Sequence, residues 1–259
     1  MTDYVPATDQ RLSGRTAIIT GSGQNIGRAI ARMMAREGAN VIVNGHRDHE
    51  HVDRVVREIE AEGGKAAAIM ADVADPDSVE AMVGEAKRIF GSVDITVSNV
   101  SVRHKQAFLD ITIEDWKAIL NSNLNSSFYM ARSVIPGMKA ARWGRIIHIS
   151  GIDGFTGHIA DRAHNVVCKA GVHALSKALA LEFGGFGITA NTVAPGIIET
   201  ERDWNQYPKN IRDLDTAQIP VGRLGRVDEV AGACVYLASE IASFVTGQVI
   251  HVNGGQHMF

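Results

Sequence analysis

The segment Thr20-Gly21-Ser22-Gly23-Gln24-Asn25-Ile26-Gly27 decides the fold. A short β-branched run at residues 16–20 leads into it, and an amphipathic stretch at residues 26–36 follows at once, so the glycines lie in a strand-to-helix turn. Glycine allows the backbone to turn tightly there and to approach a pyrophosphate, which binds the unpaired amides of the helix N-terminus. The segment therefore predicts a dinucleotide-binding loop, and a tight turn without a ligand is the alternative interpretation.

The same alternation of strand and helix continues to the end of the chain. Further β-branched runs lie at residues 40–43, 66–70, 95–98, 145–149, 189–193 and 248–252. Helical patterns lie at residues 51–62, 76–90, 112–138, 166–183 and 228–238. Apolar strands that alternate with helices form a parallel sheet covered on both faces. The sequence thus predicts an α/β fold, a Rossmann-type doubly wound parallel sheet with helices on both faces, in a single domain over residues 1–259.

Composition indicates an ordinary globular protein. The 259 residues include 26 Lys plus Arg and 29 Asp plus Glu, a formal charge of −3, without basic blocks. Neither nucleic acid nor a membrane is an expected partner, since no apolar run reaches the ~18 residues of a membrane span. Cys168 and Cys234 lie far apart, and the N-terminus lacks the apolar core of a signal peptide. We therefore expect a cytoplasmic protein.

One long polar stretch, residues 199–225, interrupts the alternation. It carries Trp204, Tyr207, Pro208 and Pro220. A loop of this length in a compact domain is usually functional, so we predict a substrate lid. With Phe155, the loop aromatics favour a cyclic or aromatic substrate, although such residues are as often packing residues.

These motifs together resemble the short-chain dehydrogenase/reductase family, particularly its 3-oxoacyl-acyl-carrier-protein reductases. The resemblance covers nearly the whole chain and includes the glycine loop, in which Asn25 replaces the middle glycine. The other matching segments are Ala71-Asp72-Val73, Ser98-Asn99-Val100-Ser101, Asn191-Thr192-Val193-Ala194-Pro195-Gly196 with Ile198 and Thr200, and the tail that ends in Val252-Asn253-Gly254-Gly255.

The resemblance implies that a nicotinamide dinucleotide binds along these segments. In the family, the Asp-Val pair holds the adenine ring and the segment that ends at Thr200 grips the nicotinamide carboxamide. The implied cofactor-binding residues are Gly21, Ser22, Gly23, Gln24, Asn25, Ile26, His46, Arg47, Asp72, Val73, Asn99, Lys169, Pro195, Gly196, Ile198 and Thr200.

The end of the second strand predicts NADP(H) rather than NAD(H). An acidic side chain there would bind the adenosine ribose and select NAD(H), but Gly45 occupies that position. Arg47 could then pair bidentately with the 2′-phosphate of NADP(H). If Arg47 is instead a solvated charge beside Asp48, NAD(H) stays open. Gln24 also replaces a basic residue that NADP-using relatives often carry.

Three histidines close in sequence, His46, His49 and His51, raise the question of a metal site. Neither a cysteine nor a fixed carboxylate arrangement accompanies them. A surface or phosphate-neighbouring role is the simpler interpretation, and we expect no metal.

The resemblance also implies catalytic residues, of which this chain retains only some. Lys169 matches the family's lysine, and Asn123 matches the asparagine that supports a relay water. The tyrosine position, four residues before Lys169 on the same helix face, holds Asn165. The serine position holds Gly151, and Ser150 points the other way if the strand continues.

The proton-transfer group is consequently unassigned. An amide cannot transfer a proton at a useful pKa, so Asn165 can orient a substrate only. His164, His158 and Asp161 are the nearby titratable candidates, and each could equally be an uninvolved polar residue. The loop from 154 to 164 is one residue longer than is usual in the family, which favours a rebuilt site with His164 and His158 leading. His164, however, lies about 140° round the helix from Lys169.

Three functions remain open. The first is an NAD(P)(H)-dependent oxidoreductase that interconverts a carbonyl and an alcohol on a small substrate with a non-standard proton donor. The second is a redox-inactive sensor or partner subunit that binds the cofactor, and the third is a non-redox enzyme on the same fold. Because the helices at 112–138 and 166–183 carry more apolar residues than one buried face requires, we also predict a homotetramer or homodimer.

Overall fold

The computed structural model describes residues 10–157, 160–201 and 216–258. Within these ranges, seven strands form one sheet in the order β3-β2-β1-β4-β5-β6-β7, and every neighbouring pair is parallel. The strands are β1 (Thr16–Ile19), β2 (Asn40–Gly45), β3 (Lys65–Met70), β4 (Ile95–Ser98), β5 (Gly144–Ile149), β6 (Ile188–Pro195) and β7 (Val249–Val252). The predicted doubly wound parallel sheet is confirmed.

Helices cover both faces of this sheet. One apolar core lies between the sheet and α1, α2 and α7, and a second lies between the sheet and α3, α5 and α6. The helices are α1 (Asn25–Arg36), α2 (His49–Ala61), α3 (Pro76–Phe90), α4 (Ile113–Leu120), α5 (Ser126–Ala141), α6 (Ala163–Phe183) and α7 (Val227–Ala238). In the described ranges, no helix is both long and apolar enough to cross a membrane.

Side-chain caps explain where two of the helices begin. The carboxylate of Asp75 accepts from the amide of Asp77 at 3.1 Å, and Pro76 occupies the first position of α3, where its missing N–H costs nothing. Asp48 accepts from the amide of His51 at 3.0 Å, so α2 starts at His49, two residues before the predicted start.

The helix predicted over residues 112–138 is instead two helices separated by a π turn at Asn121–Asn125. Polar side chains bond to the chain within this turn: the Ser126 hydroxyl donates to the carbonyl of Ser122 at 2.6 Å. A π turn changes the direction of side chains and is frequent at functional sites. Here it carries Asn123, which is buried.

The order in which strands are added reverses between β1 and β4, because β2 and β3 lie on one side of β1 and β4 to β7 on the other. In open α/β sheets, ligands bind in the crevice at the carboxyl ends of the strands at such a point. The glycine loop follows β1 directly, at this crevice.

The predicted lid, residues 199–225, is only partly described. Trp204, Tyr207 and Pro208 lie outside the described residues. The two ends of the segment meet, because the Glu199 amide donates to the carbonyl of Gly225 at 2.8 Å. A role as a lid stays a prediction, as does the single-domain boundary at residues 1–259.

Candidate active site

The glycine loop has the backbone conformation that a close turn requires. Gly21 has a φ of +60°, and a Cβ at Gly27 would lie 2.4 Å from the carbonyl oxygen of Gly21. Asn25 has a φ of +49°. Asparagine tolerates this left-handed region better than other residues with a side chain, which explains how it can replace a glycine here.

Side chains from neighbouring strands hold this loop in place. Asn99 donates to the carbonyls of Thr20 and Gly21, both at 3.1 Å. Asn44 accepts from the Gly21 amide at 3.2 Å, and Ser22 donates to the carbonyl of Ile19 at 2.7 Å. The side chains of Ser22 and Asn99 therefore shape the loop itself. Asn44 was missed in the sequence, where nothing distinguishes it from other strand residues.

The loop and the start of α1 fit a pyrophosphate. Gln24 precedes α1 in extended conformation, and its side chain makes no capping hydrogen bond within the described part of the chain. The first amides of a helix lack intrahelical partners and carry partial positive charge, which suits an anion. The glycines supply the close approach, so these residues fit a dinucleotide.

The adenosine end of the crevice lies beyond β2 and β3. One carboxylate oxygen of Asp72 accepts from the Ala74 amide at 2.9 Å, and the other lies 3.7 Å from Nε2 of His46. Val73, next to Asp72, is buried. These residues come together at the edge where the family resemblance places the adenine ring.

Arg47 is exposed at the start of α2. Asp48 is engaged elsewhere, with its second carboxylate oxygen 2.6 Å from Nδ1 of His51. Within the described ranges Arg47 forms no ion pair, so its charge is not neutralised by a described carboxylate. A Cβ at Gly45 would lie 2.5 Å from Cγ2 of Val52, so the packing of α2 itself disfavours an acidic residue there.

The three histidines of the sequence analysis do not converge. His46 lies near Asp72 and His51 near Asp48, as described above, while His49 begins α2. Among the residues that the structure describes, no three His, Cys, Asp or Glu side chains could hold a metal ion.

The nicotinamide end follows β6. Pro195 ends that strand, and the Gly196 amide donates to the carbonyl of Val252 at 3.0 Å. A Cβ at Gly196 would lie 2.8 Å from Cβ of Asn253, so glycine allows these two segments to touch. Ile198 is buried and Thr200 is half-buried.

Lys169 lies on α6 and is buried. Its Nζ donates to the carbonyl of Ile149, the last residue of β5, at 2.9 Å. Burial lowers the pKa of Lys169 to about 7, and the charge of Arg103 acts in the same direction, while Asp153 opposes the shift. The amine is thus held at the carboxyl end of the sheet and is readily neutralised.

A chain of hydrogen bonds crosses the cleft from the loop after β4 to the turn after β5. The Asn123 side chain accepts from the amide of Val102 at 2.8 Å and donates to its carbonyl at 2.7 Å. Asn123 also donates to Oδ1 of Asn165 at 3.4 Å, and Asn165 in turn donates to Oδ2 of Asp153 at 3.2 Å. The two asparagines of the sequence analysis therefore come together, and Asp153, which was missed, joins them.

Ser150 and His164 lie away from this chain. The Ser150 hydroxyl is 2.7 Å from Nε2 of His173 on α6, and both side chains are buried. His164 is fully buried, its Nδ1 accepts from the amide of Asn165 at 2.8 Å, and burial lowers its pKa. A neutral, enclosed imidazole is poorly placed to exchange a proton with a substrate.

The remaining candidates lie on the loop between β5 and α6. His158 lies outside the described residues. Asp161 has a φ of +63°, its carbonyl accepts from the Gln106 amide at 2.8 Å, and its carboxylate is 4.0 Å from Nζ of Lys105. Asp161 therefore interacts with the loop after β4.

The fold and the glycine loop define an α/β protein of the dinucleotide-binding class. A family model described as enoyl-(acyl carrier protein) reductase matches residues 21–257. The 3-oxoacyl-acyl-carrier-protein reductase of Staphylococcus aureus is 37% identical over 244 residues, which are 94% of this chain and 98% of that protein. The corresponding reductase of Vibrio cholerae is 37% identical over 247 residues, 95% and 99% of the two chains. The chain belongs to the short-chain dehydrogenase/reductase family of oxidoreductases.

A solved structure agrees with this assignment. A gluconate 5-dehydrogenase from Burkholderia cenocepacia, crystallised with NADP and tartrate, superposes with a TM-score of 0.89 at 34% identity. The match covers 96% of this chain and 97% of that chain.

Proposed function

We propose that this protein is an NADP(H)-dependent oxidoreductase that interconverts an alcohol and a carbonyl on a small substrate. The observation that carries the proposal is the position of Lys169, buried at the carboxyl end of the sheet beside the Asn123–Asn165 hydrogen bond. A bound nicotinamide dinucleotide supplies the hydride donor or acceptor. Lys169 would hold its ribose, and Thr200 its carboxamide.

The choice of NADP(H) rests on the adenosine end of the crevice. Gly45 removes the carboxylate that would repel a 2′-phosphate, and Arg47 offers an unneutralised guanidinium. The crystallised gluconate dehydrogenase, which contains NADP, supports the same choice. The names of the similar reductases and of the gluconate dehydrogenase also support a hydroxyl- or carbonyl-bearing substrate.

Absorbance at 340 nm, followed over a panel of alcohols with NADP⁺ and of ketones with NADPH, tests the proposal. We expect turnover with at least one substrate and its loss in Lys169→Met, a substitution that keeps the length of the side chain. NADPH fluorescence in the same samples reports whether the cofactor binds. Binding without turnover on the whole panel would overturn the oxidoreductase proposal.

One observation favours a second candidate, a redox-inactive protein that binds the cofactor as a sensor or partner subunit. Asn165 and Gly151 stand where the family resemblance requires tyrosine and serine. If activity has been lost with the tyrosine, Asn165→Tyr should raise a negligible rate. If the site has been rebuilt, the same substitution should lower the rate, because it breaks the bonds of Asn165 to Asn123 and Asp153.

We further propose that the protein acts in the cytoplasm as a homo-oligomer. Exposed apolar side chains on α5 and α6 support the assembly, and a prediction below develops this point.

A further inference from the structure

We propose that Asp153 is the proton-transferring residue of this site, where it acts as the general base that takes the hydroxyl proton during oxidation of an alcohol. The inference rests on the proposed oxidoreductase function and deepens it, because it names the group that replaces the missing tyrosine. It also gives the direction in which the enzyme works best at neutral pH.

The first step of the argument is the position of Asp153. It lies in the short turn Ile152–Gly154, directly after β5 and on the same edge of the sheet as Lys169. A Cβ at Gly154 would lie 2.5 Å from Cε1 of His173 and 3.0 Å from the backbone of Lys169, so the turn packs tightly against α6. Asp153 is therefore held at the wall of the cleft, half-buried, by a turn with little room to move.

The second step is the polarity of the hydrogen-bond chain. Val102 fixes both ends of the Asn123 amide, so Nδ2 of Asn123 points to Oδ1 of Asn165. The amide of Asn165 must then donate through Nδ2, and the group that receives it is Oδ2 of Asp153. An ionised carboxylate only accepts hydrogen bonds, so Asp153 has in this chain the acceptor role that a general base also has.

The third step is comparison with the other candidates. Asp153 contacts the side chain of Asn165, the residue at the tyrosine position, and its charge acts on Lys169. His164 is enclosed and already accepts a backbone amide, while Asp161 lies against the loop after β4. Among the described candidates, Asp153 is the one that has a carboxylate and also contacts Asn165 in the site.

The chemical step balances without a further reactant. The O–H bond of the alcohol breaks and its proton forms a new O–H bond with the Asp153 carboxylate. The hydrogen on the carbinol carbon leaves with its electron pair to NADP⁺, so the alcohol is oxidised to a carbonyl and the cofactor is reduced. Carboxyl side chains are ordinarily ionised at neutral pH, and oxidation is therefore the direction that this base assists.

Several charged or titratable groups lie on the elements near the turn that carries Asp153. Lys169 and His173 face the turn from α6, and Arg103, on the loop after β4, acts on the charge of Lys169. The rings of His251 of β7 and of His257 have centroids 4.6 Å and 6.1 Å from that of Phe155. Burial lowers the pKa of His173 to about 4, so that imidazole is neutral.

The test compares Asp153→Asn with Asp77→Asn, the same change on exposed α3. In Asp153→Asn we expect alcohol oxidation to fall 10²–10⁴-fold, roughly the contribution of a positioned base, and its decline toward acid pH to disappear. NADPH affinity, measured by fluorescence, should stay within about twofold of the unmodified protein. Asp77→Asn should change none of these, and formate should partly restore oxidation in Asp153→Gly.

The outcomes separate the two proposals. If the unmodified protein oxidises an alcohol and Asp153→Asn keeps both the rate and the acid limb, Asp153 is not the base and only this inference fails. A fall in NADPH affinity that equals the fall in rate, without rescue by formate, would show that Asp153 has a structural role. That result would also overturn this inference. If the unmodified protein transfers no hydride to or from any substrate, the proposed function fails and this inference fails with it.

Discussion

At the scale of single residues, the partners of a side chain decide which charges are free to bind a ligand. Asp48 caps α2 and pairs with His51, which leaves the neighbouring Arg47 without a carboxylate partner among the described residues. We predict that NADPH binds at least tenfold more tightly than NADH, a difference of about 1.4 kcal/mol. Arg47→Ala should remove most of this preference by weakening NADPH alone, as measured by fluorescence titration with both dinucleotides.

The matched control is Arg57→Ala, which removes the same charge from an exposed position further along α2. It should leave both affinities unchanged apart from a small electrostatic effect that salt screens. Equal losses of NADPH and NADH affinity in Arg47→Ala would show that Arg47 does not contact the 2′-phosphate.

Lys169 makes a second prediction at this scale, on the pH dependence of stability. Burial lowers its pKa from 10.5 to about 7 in the folded protein, whereas the unfolded chain keeps the ordinary value. Between these two values the unfolded state binds the extra proton, so the free energy of unfolding rises with pH across that window. Between pH 7 and 9 the gain should be about 2–3 kcal/mol, measured by urea unfolding without cofactor.

Lys169→Met removes the titrating group while keeping the buried stem. As pH rises from 7 to 9, the free energy of unfolding of the unmodified protein should therefore rise relative to that of the variant. Parallel stability curves for the two proteins over that range would contradict a depressed pKa at Lys169.

At the scale of elements, the start of α1 is tied to the segment after β6. The Glu201 amide donates to Oδ1 of Asn25 at 2.7 Å, and Nδ2 of Asn25 donates to the Glu201 carbonyl at 3.3 Å. Both Asn25→Gly and Asn25→Ala lose this pair of bonds, but only alanine must also adopt the φ of +49° with a Cβ. We predict that Asn25→Ala is less stable than Asn25→Gly by about 1 kcal/mol in urea unfolding.

Equal stability of the two variants would mean that the left-handed conformation at Asn25 relaxes when its side chain is removed. A second readout is available, because both variants release residue 201. If the tie positions the nicotinamide end, both should weaken NADPH to a similar extent.

Elements also show how far sequence could predict this molecule. Apolar runs in the sequence predict all seven strands of the described sheet. Strands of a parallel sheet are covered on both faces, so their sequences are apolar throughout. The π turn at Asn121–Asn125 does not follow from any period, since it depends on side-chain bonds to the backbone. Asp153 was missed for a related reason: its contact with Asn165 spans a turn and a loop, and no spacing rule relates the two residues.

At the scale of the whole molecule, apolar side chains lie on the outer surfaces of several helices. Phe128 of α5 and Val167 of α6 are 49% and 44% exposed, Leu181 near the end of α6 is 90% exposed, and Phe244 is fully exposed. Large apolar side chains grouped on helix faces are unusual on a monomer and mark association surfaces. Self-complementary faces of this kind normally produce closed symmetric assemblies.

We therefore predict a homotetramer, or at the least a homodimer, at micromolar concentration in light scattering. The double variant Phe128→Glu with Val167→Glu should convert a tetramer to a dimer, or a dimer to a monomer. Charges without partners at an interface core are costly to desolvate. Ala61→Glu, which adds a charge at the exposed end of α2, should leave the assembly intact. Because neither Phe128 nor Val167 belongs to the candidate site, a smaller but folded variant that still binds NADPH would show that association and cofactor binding are separable. A monomeric unmodified protein would refute the predicted assembly, and the exposed faces of α5 and α6 would then need another explanation.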